Sequence, residues 1–229
     1  MERVVVLSGA GISAESGIRT FRDADGLWEN HRIEDVATPE AWVRNPSLVL
    51  TFYRQRWEQL AEVEPNAAHK ALVALEGQYE VHIVTQNVDD LHERAGSNNV
   101  LHLHGELRFA KSSLGKDKTL YPILDRYIEL GDKAPDGSQL RPHIVWFGEA
   151  VPNLEPAIDL AATADYLLIV GTSLQVYPAA SLVNYVPPHC AITVVDPHMS
   201  PKLLPKGTRL LASSATEGVS AWVRQMLGQ

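Results

Sequence analysis

Four short, apolar, β-branched runs separated by helical stretches constrain this chain more than any other feature. They occupy residues 4–7, 81–84, 166–170 and 191–195. A strand that is apolar on both faces belongs inside a covered sheet, the setting of parallel strands. Alanines and leucines at helical spacing fill residues 67–75 and 154–164, and residues 220–227 read as a closing helix. The alternation predicts an α/β fold: a Rossmann-like parallel sheet with helices on both faces.

Two stretches break that rhythm. Residues from about 23 to 65 are rich in aromatics and charges, among them Trp28, Trp42, Phe52, Tyr53 and Trp57. Residues from about 106 to 141 carry Lys, Ser, Gly and Asp, with an amphipathic piece around 121–130. Neither resembles a linker, so both are assigned to a smaller inserted lobe of one domain spanning 1–229. The larger part then comprises about 1–22, 66–105 and 142–229. A chain of 229 residues with 45% hydrophobic and 21% charged content can bury a substantial core.

A net charge of −8 disfavours nucleic acid as a partner. The single cysteine, Cys190, precludes an intrachain disulfide and suits a reducing compartment. No apolar run approaches the roughly 20 residues of a membrane helix, so no membrane partner is expected. The opening residues lack a signal-peptide layout. A cytoplasmic location is expected; oligomeric state does not follow.

Gly9-Ala10-Gly11-Ile12-Ser13-Ala14 follows the first strand. Small residues there let a backbone approach a pyrophosphate, and amides at a helix start can hold it. A plain tight turn fits this run equally well. The acidic residue expected about 20 positions on, after a second strand, is missing. That region reads Phe21-Arg22-Asp23 and then a loop, which disfavours an ordinary hydride-transferring enzyme.

The glycine run opens a longer block, GAGISAESGIRTFRDADGLW (9–28). TQNVDDLHERAG (85–96), LHLHGEL (101–107), RPHIVWFGE (141–149) and GTSLQVYPAA (171–180) follow. Together these resemble the sirtuin (Sir2) family over nearly the whole chain, and its bacterial CobB-type deacylases most of all. The resemblance implies an NAD-dependent protein-lysine deacylase, a transferase of acyl groups.

On that resemblance His104 of the His-Gly pair is the general base, a role suited to an imidazole neutral near physiological pH. His102 reads as a hydrogen-bonded histidine near a turn. Asn87 organises ribose and water, Asp89 partners the nicotinamide amide, and Gln86 touches the ribose. Gly9, Ala10, Gly11, Ile12 and Ala14 form the cofactor loop, with Ile12 in the nicotinamide pocket. Phe21 shields the reacting carbon and Arg22 lies near the phosphates or ribose; Arg19 replaces the family's usual proline. Gly171, Thr172 and Ser173 contact phosphate and adenosine ribose. Asp196 stands where the family usually has Asn, and a carboxylate can still accept a ribose hydroxyl.

Tyr53 and Arg56 share a helix face at i and i+3. In CobB-type proteins such a pair reads an acidic acyl group, with the guanidinium gripping the carboxylate. This implies desuccinylase and demalonylase activity beside deacetylase activity. Val145, Phe147 and Gly148 lie in the segment whose backbone pairs with an extended substrate peptide.

Most sirtuins hold zinc on four cysteines in the small lobe. Residues 108–140 here contain neither cysteine nor histidine, so a zinc-free lobe is expected. Leu120, Tyr121, Ile123, Leu124, Tyr127, Ile128 and Leu130 are the apolar candidates to staple it instead. In the implied reaction nicotinamide leaves, the acyl oxygen joins the ribose carbon, and His104 assists deprotonation of a ribose hydroxyl. The products are lysine, nicotinamide and O-acyl-ADP-ribose. Two alternatives are an NAD hydrolase or ADP-ribosyltransferase, and a non-catalytic module binding NAD or acyl-lysine.

Overall fold

A computed structural model describes residues 1–19, 27, 28 and 31–229. The chain opens with β1 (Arg3–Ser8) and two 3-10 turns, Ala10–Ile12 and Ala14–Ser16. A short pair, β2 (Leu27–Trp28) and β3 (His31–Arg32), precedes α1 (Ile33–Val36), α2 (Pro39–Arg44) and α3 (Pro46–Gln59). Next come α4 (Ala67–Leu75), β4 (Glu80–Thr85), α5 (Leu91–Ala95) and β5 (Val100–His102). β6 (Gly105–Ser112), β7 (Tyr121–Pro122) and β8 (Leu140–Ile144) follow. α6 (Leu154–Ala161), β9 (Tyr166–Val170), β10 (Ala191–Val195), β11 (Arg209–Leu211) and α7 (Ala215–Met226) complete the chain.

The helix starts are written in capping side chains. Thr38 accepts the Ala41 amide at 3.0 Å before Pro39, and Asn45 accepts the Leu48 amide at 3.1 Å before Pro46. A proline at the first helical position loses no bond, because that amide is orphaned anyway. Asn66 and His69 form a reciprocal capping box at the start of α4.

The main sheet has the order β11-β10-β9-β1-β4-β5, with every pair parallel. This is the Rossmann strand order. Alternation along β1 explains its double coverage. Val4 and Val6 face a core built with Leu72 and Leu75 of α4 and Val219 and Trp222 of α7. Val5 and Leu7 face the opposite core, with Ala157 of α6 and Ala179 and Leu182. The closing helix begins at Ala215, earlier than its periodicity suggests, because Ser214 caps it; α6 ends at Ala161 rather than 164.

A second core packs α1–α3 against the antiparallel sheet β7-β6-β8. The expected apolar staple needs correction. Ile123, Tyr127 and Ile128 are buried in this core, but Leu124 is 74% exposed, Leu130 54% and Leu120 39%. A polar clasp holds the tip instead. Ser112 donates to Asp136 Oδ2, the Ser138 amide donates to Asp136 Oδ1 at 2.9 Å, and Tyr121 donates to Asp117. Hydrogen bonds from Ser112 and Ser138 hold the Asp136 carboxyl down at about 2. Among the described residues, no helix is long and apolar enough to cross a membrane.

Candidate functional site at the switch point of the sheet

Strand order reverses between β1 and β9, and an open α/β sheet leaves a ligand crevice beyond the strand ends at such a point. Here the two flanking loops touch backbone to backbone. The Gly9 amide donates to the Val170 carbonyl at 3.0 Å, and the Gly11 amide donates to the Gly171 carbonyl at 2.9 Å. A Cβ on Gly11 would lie 2.6 Å from Gly171 Cα, and one on Gly171, at φ +65°, would lie 2.2 Å from the Ile12 nitrogen. The glycines are therefore required by loop contact, whatever they do for a ligand. The expected helix start is absent. Two single 3-10 turns replace it, tied down by Asn66, whose Nδ2 donates to the Ile12 carbonyl at 2.8 Å and Ser16 Oγ at 3.0 Å. Ala10 is half-buried in the first turn and Ala14 is exposed in the second.

The loop after β4 supplies the polar centre. Gln86 Nε2 donates to Thr172 Oγ1 at 3.0 Å. Asn87 Nδ2 donates to Ser13 Oγ at 3.1 Å, and Ser13 Oγ donates to Asp89 Oδ2 at 3.1 Å. The Leu91 amide donates to Asp89 Oδ1 at 3.2 Å. Burial pushes the Asp89 carboxyl up to about 6, against the hydrogen bonds from Leu91 and Ser13. Ser13 was missed by sequence reasoning. Its one signal is a hydroxyl set between Ile12 and Ala14 in an otherwise apolar block.

His104 lies between β5 and β6, its Nδ1 3.1 Å from the Gln86 carbonyl. A carbonyl only accepts, so Nδ1 carries the proton and Nε2 is the basic atom of the neutral ring. Burial lowers its pKa from the ordinary value, and the Gln86 contact offsets this in part. The glycine after it is obligatory: a Cβ on Gly105 would lie 1.9 Å from the His143 carbonyl oxygen.

The Val145 amide donates to the His104 carbonyl at 2.9 Å, which ties the segment after β8 to the histidine. That segment is not a strand: it leaves β8 at Ile144 and turns at Phe147 and Gly148, both exposed. Trp146 is buried beneath, with the Arg141 guanidinium 3.5 Å from its ring centroid. Tyr53 and Arg56 both lie on α3. Tyr53 is fully buried in the core that holds Trp146, and burial raises its phenol pKa. Arg56 donates to the Phe52 carbonyl and stacks 3.7 Å over the Phe52 ring.

Thr172 is buried, with Ser173 half-buried beside it, and Asp196 is buried at the end of β10. Asp196 Oδ1 accepts the His198 amide at 2.7 Å. Phe21 and Arg22 lie outside the described residues. Among the described residues, no group of three or more His, Cys, Asp or Glu side chains could hold a metal ion. The donor set of amides, hydroxyls and one carboxylate suits sugar hydroxyls and a carboxamide, and it lacks the soft ligands of a zinc site.

Fold and site together define a Rossmann-like α/β protein with a polar crevice at its switch point. The Sir2 family profile matches residues 9–178, and the chain belongs to the Sir2 family. An NAD-dependent protein deacylase of Helicobacter pylori (strain ATCC 700392 / 26695) is 56% identical over 96% of this chain and 95% of its own. One from Aggregatibacter actinomycetemcomitans is 60% identical over 85% and 92%. A crystal structure of a Sir2 homologue with NAD superposes with a TM-score of 0.87 at 39% identity, over 99% of this chain and 90% of its own.

Asp89 makes stability depend on pH. Its folded pKa of about 6 exceeds the ordinary carboxyl value, so its contribution is full below about pH 4 and fades as pH rises through 6. Asp89→Asn escapes that loss. Unfolding free energies from urea titrations should move in favour of the variant between pH 4.5 and 7, by on the order of 2 kcal/mol. A variant-minus-parent difference that stays constant with pH would contradict the buried carboxyl.

Proposed function

We propose that this Sir2-family chain is an NAD-dependent protein-lysine deacylase in which His104 is the general base. The observation that carries this reading is the connected set Asn87–Ser13–Asp89 beside a histidine whose Nδ1 faces the Gln86 carbonyl, leaving Nε2 basic. Acyl-lysine, NAD and water give lysine, nicotinamide and O-acyl-ADP-ribose. NAD supplies the ribose carbon to which the acyl oxygen is transferred. Gly9, Ala10, Gly11, Ala14, Gly171, Thr172, Ser173 and Asp196 would hold its phosphates and adenosine ribose, with Phe21 and Arg22 near the reacting sugar. Ile12, Gln86, Asn87 and Asp89 would hold the nicotinamide end. His104 takes a proton from a ribose hydroxyl at Nε2.

The protein substrate would lie along Val145, Phe147 and Gly148 as an extended peptide paired through main chain. Acidic acyl groups, succinyl and malonyl, are accepted beside acetyl. Support comes from Tyr53 and Arg56 on one helix, in and beside the core that carries Trp146. The catalytic domain divides into a larger part at about 1–22, 66–105 and 142–229 and a lobe at about 23–65 and 106–141. Cys190 as sole cysteine supports a cytoplasmic, reducing location. The lobe works without zinc, its tip held by the Asp136 clasp.

Two measurements test this. With NAD and matched acetyl- or succinyl-lysine peptides, nicotinamide should appear only when a peptide is present, as mass spectrometry would follow. Arg56→Ala should cut succinyl turnover at least about tenfold more than acetyl turnover, the worth of one charge-assisted contact. Peptide-independent nicotinamide would favour NAD hydrolysis, and equal losses on both peptides would reject the acidic-acyl reading. Elemental analysis of clean, active protein should find no stoichiometric zinc; finding it would overturn the zinc-free lobe.

A further inference from the structure

Asn87 is held by its backbone as well as its side chain. Its amide donates to Thr85 Oγ1 at 3.0 Å, and its carbonyl is met by His102 Nδ1 at 2.9 Å. His102 is buried, and its other nitrogen, Nε2, lies 2.7 Å from Glu93 Oε1 on α5. The backbone at His102 is fixed in turn, since Asn153 Nδ2 donates to its carbonyl at 2.7 Å. A backbone carbonyl accepts and never donates, and the same is true of an ionised carboxylate. Both ring nitrogens of His102 therefore face acceptors, and only the doubly protonated ring satisfies both contacts.

We propose that His102 is a positioning residue that works as an imidazolium, clamping the Asn87 carbonyl from one ring nitrogen while Glu93 balances its charge from the other. This rests on the deacylase reading only for its effect on turnover; the protonation state of His102 stands apart from it. Loss of the His102 proton leaves a bare nitrogen against an oxygen lone pair on one side or the other. Asn87 then loses a charge-assisted hold, and with it the register of Ser13 and Asp89, which its side chain continues.

The groups facing His102 are acidic or neutral. Glu93 on α5, Glu106 on β6 and Asp89 after β4 favour its charge. The neighbouring His143 on β8 and His92 on α5 both have pKa values lowered, chiefly by burial, and stay neutral beside it. Burial lowers the His102 pKa, but the hydrogen bond and charge of Glu93, with Glu106 and the Asn87 carbonyl, outweigh it and leave it raised. His104 is displaced the opposite way, so the two histidines act on opposite limbs of a pH profile.

The test pairs NMR with kinetics on the full chain, using Glu93→Gln, which keeps an acceptor but removes the charge. In the parent, the ring-nitrogen shifts of His102 should report an imidazolium at pH 7. In Glu93→Gln its titration should move down by about one unit or more, the usual effect of one adjacent opposite charge. The alkaline fall in kcat/KM for NAD-dependent deacetylation should move down by the same amount, while the acidic limb set by His104 stays in place. A neutral His102 at pH 7 in the parent would overturn the proposal. So would an alkaline limb that does not move with the NMR titration. Protein that shows the imidazolium but no NAD-dependent deacetylation at any pH would sink the deacylase reading and leave the protonation state intact.

Discussion

The contact between the Gly9–Gly11 loop and Gly171 governs the rest of the site. Two loops from neighbouring parallel strands approach until only glycine fits between them, and two amide-to-carbonyl bonds hold them there. Gln86 is fixed by the same junction. Its amide donates to the Ser8 carbonyl, its side chain to Thr172, and its carbonyl meets His104 Nδ1. One residue thus links the ends of β1, β4 and β9 to the imidazole. A displaced loop would move the base with it.

The second core is joined to the first next to the histidine. β6 starts at Gly105, one residue after His104, and β8 ends at Ile144, one residue before Val145 pairs with the His104 carbonyl. The imidazole therefore stands where the parallel sheet gives way to the antiparallel one. In the proposed reaction a dinucleotide would approach from the parallel side and an acyl-lysine from the antiparallel side. In that reaction the position would bring both reactants to one base.

The sequence announced the interior strands well, because β1, β4, β9 and β10 are apolar on both faces and bounded by turn residues. A short strand running up to His104 was also legible and is β5, but β11, of three residues, is too short for a period to register. His104 was legible through its glycine, which the His143 carbonyl leaves no alternative to. Ser13 was not, since a buried serine in a small-residue run looks like a space-filler until Asn87 and Asp89 are seen on either side of it. The Asp136 clasp was equally hidden. It joins positions 112, 117, 136 and 138, whose spacing has no periodicity. The leucines expected to staple the lobe point to water because Ile123, Tyr127 and Ile128 already fill the space against α3.

The account turns on a single atom, the unprotonated Nε2 of His104, acting at the sugar of a dinucleotide in the switch-point crevice. The most direct measurement is His104→Ala, with NAD binding followed by calorimetry and deacylated peptide followed by mass spectrometry on the same preparation. NAD should still bind, since the loops that would hold it are untouched, and peptide deacylation should fall by about 10²- to 10⁴-fold, the range for losing a general base. Deacylation at the parent rate would contradict the account at its centre.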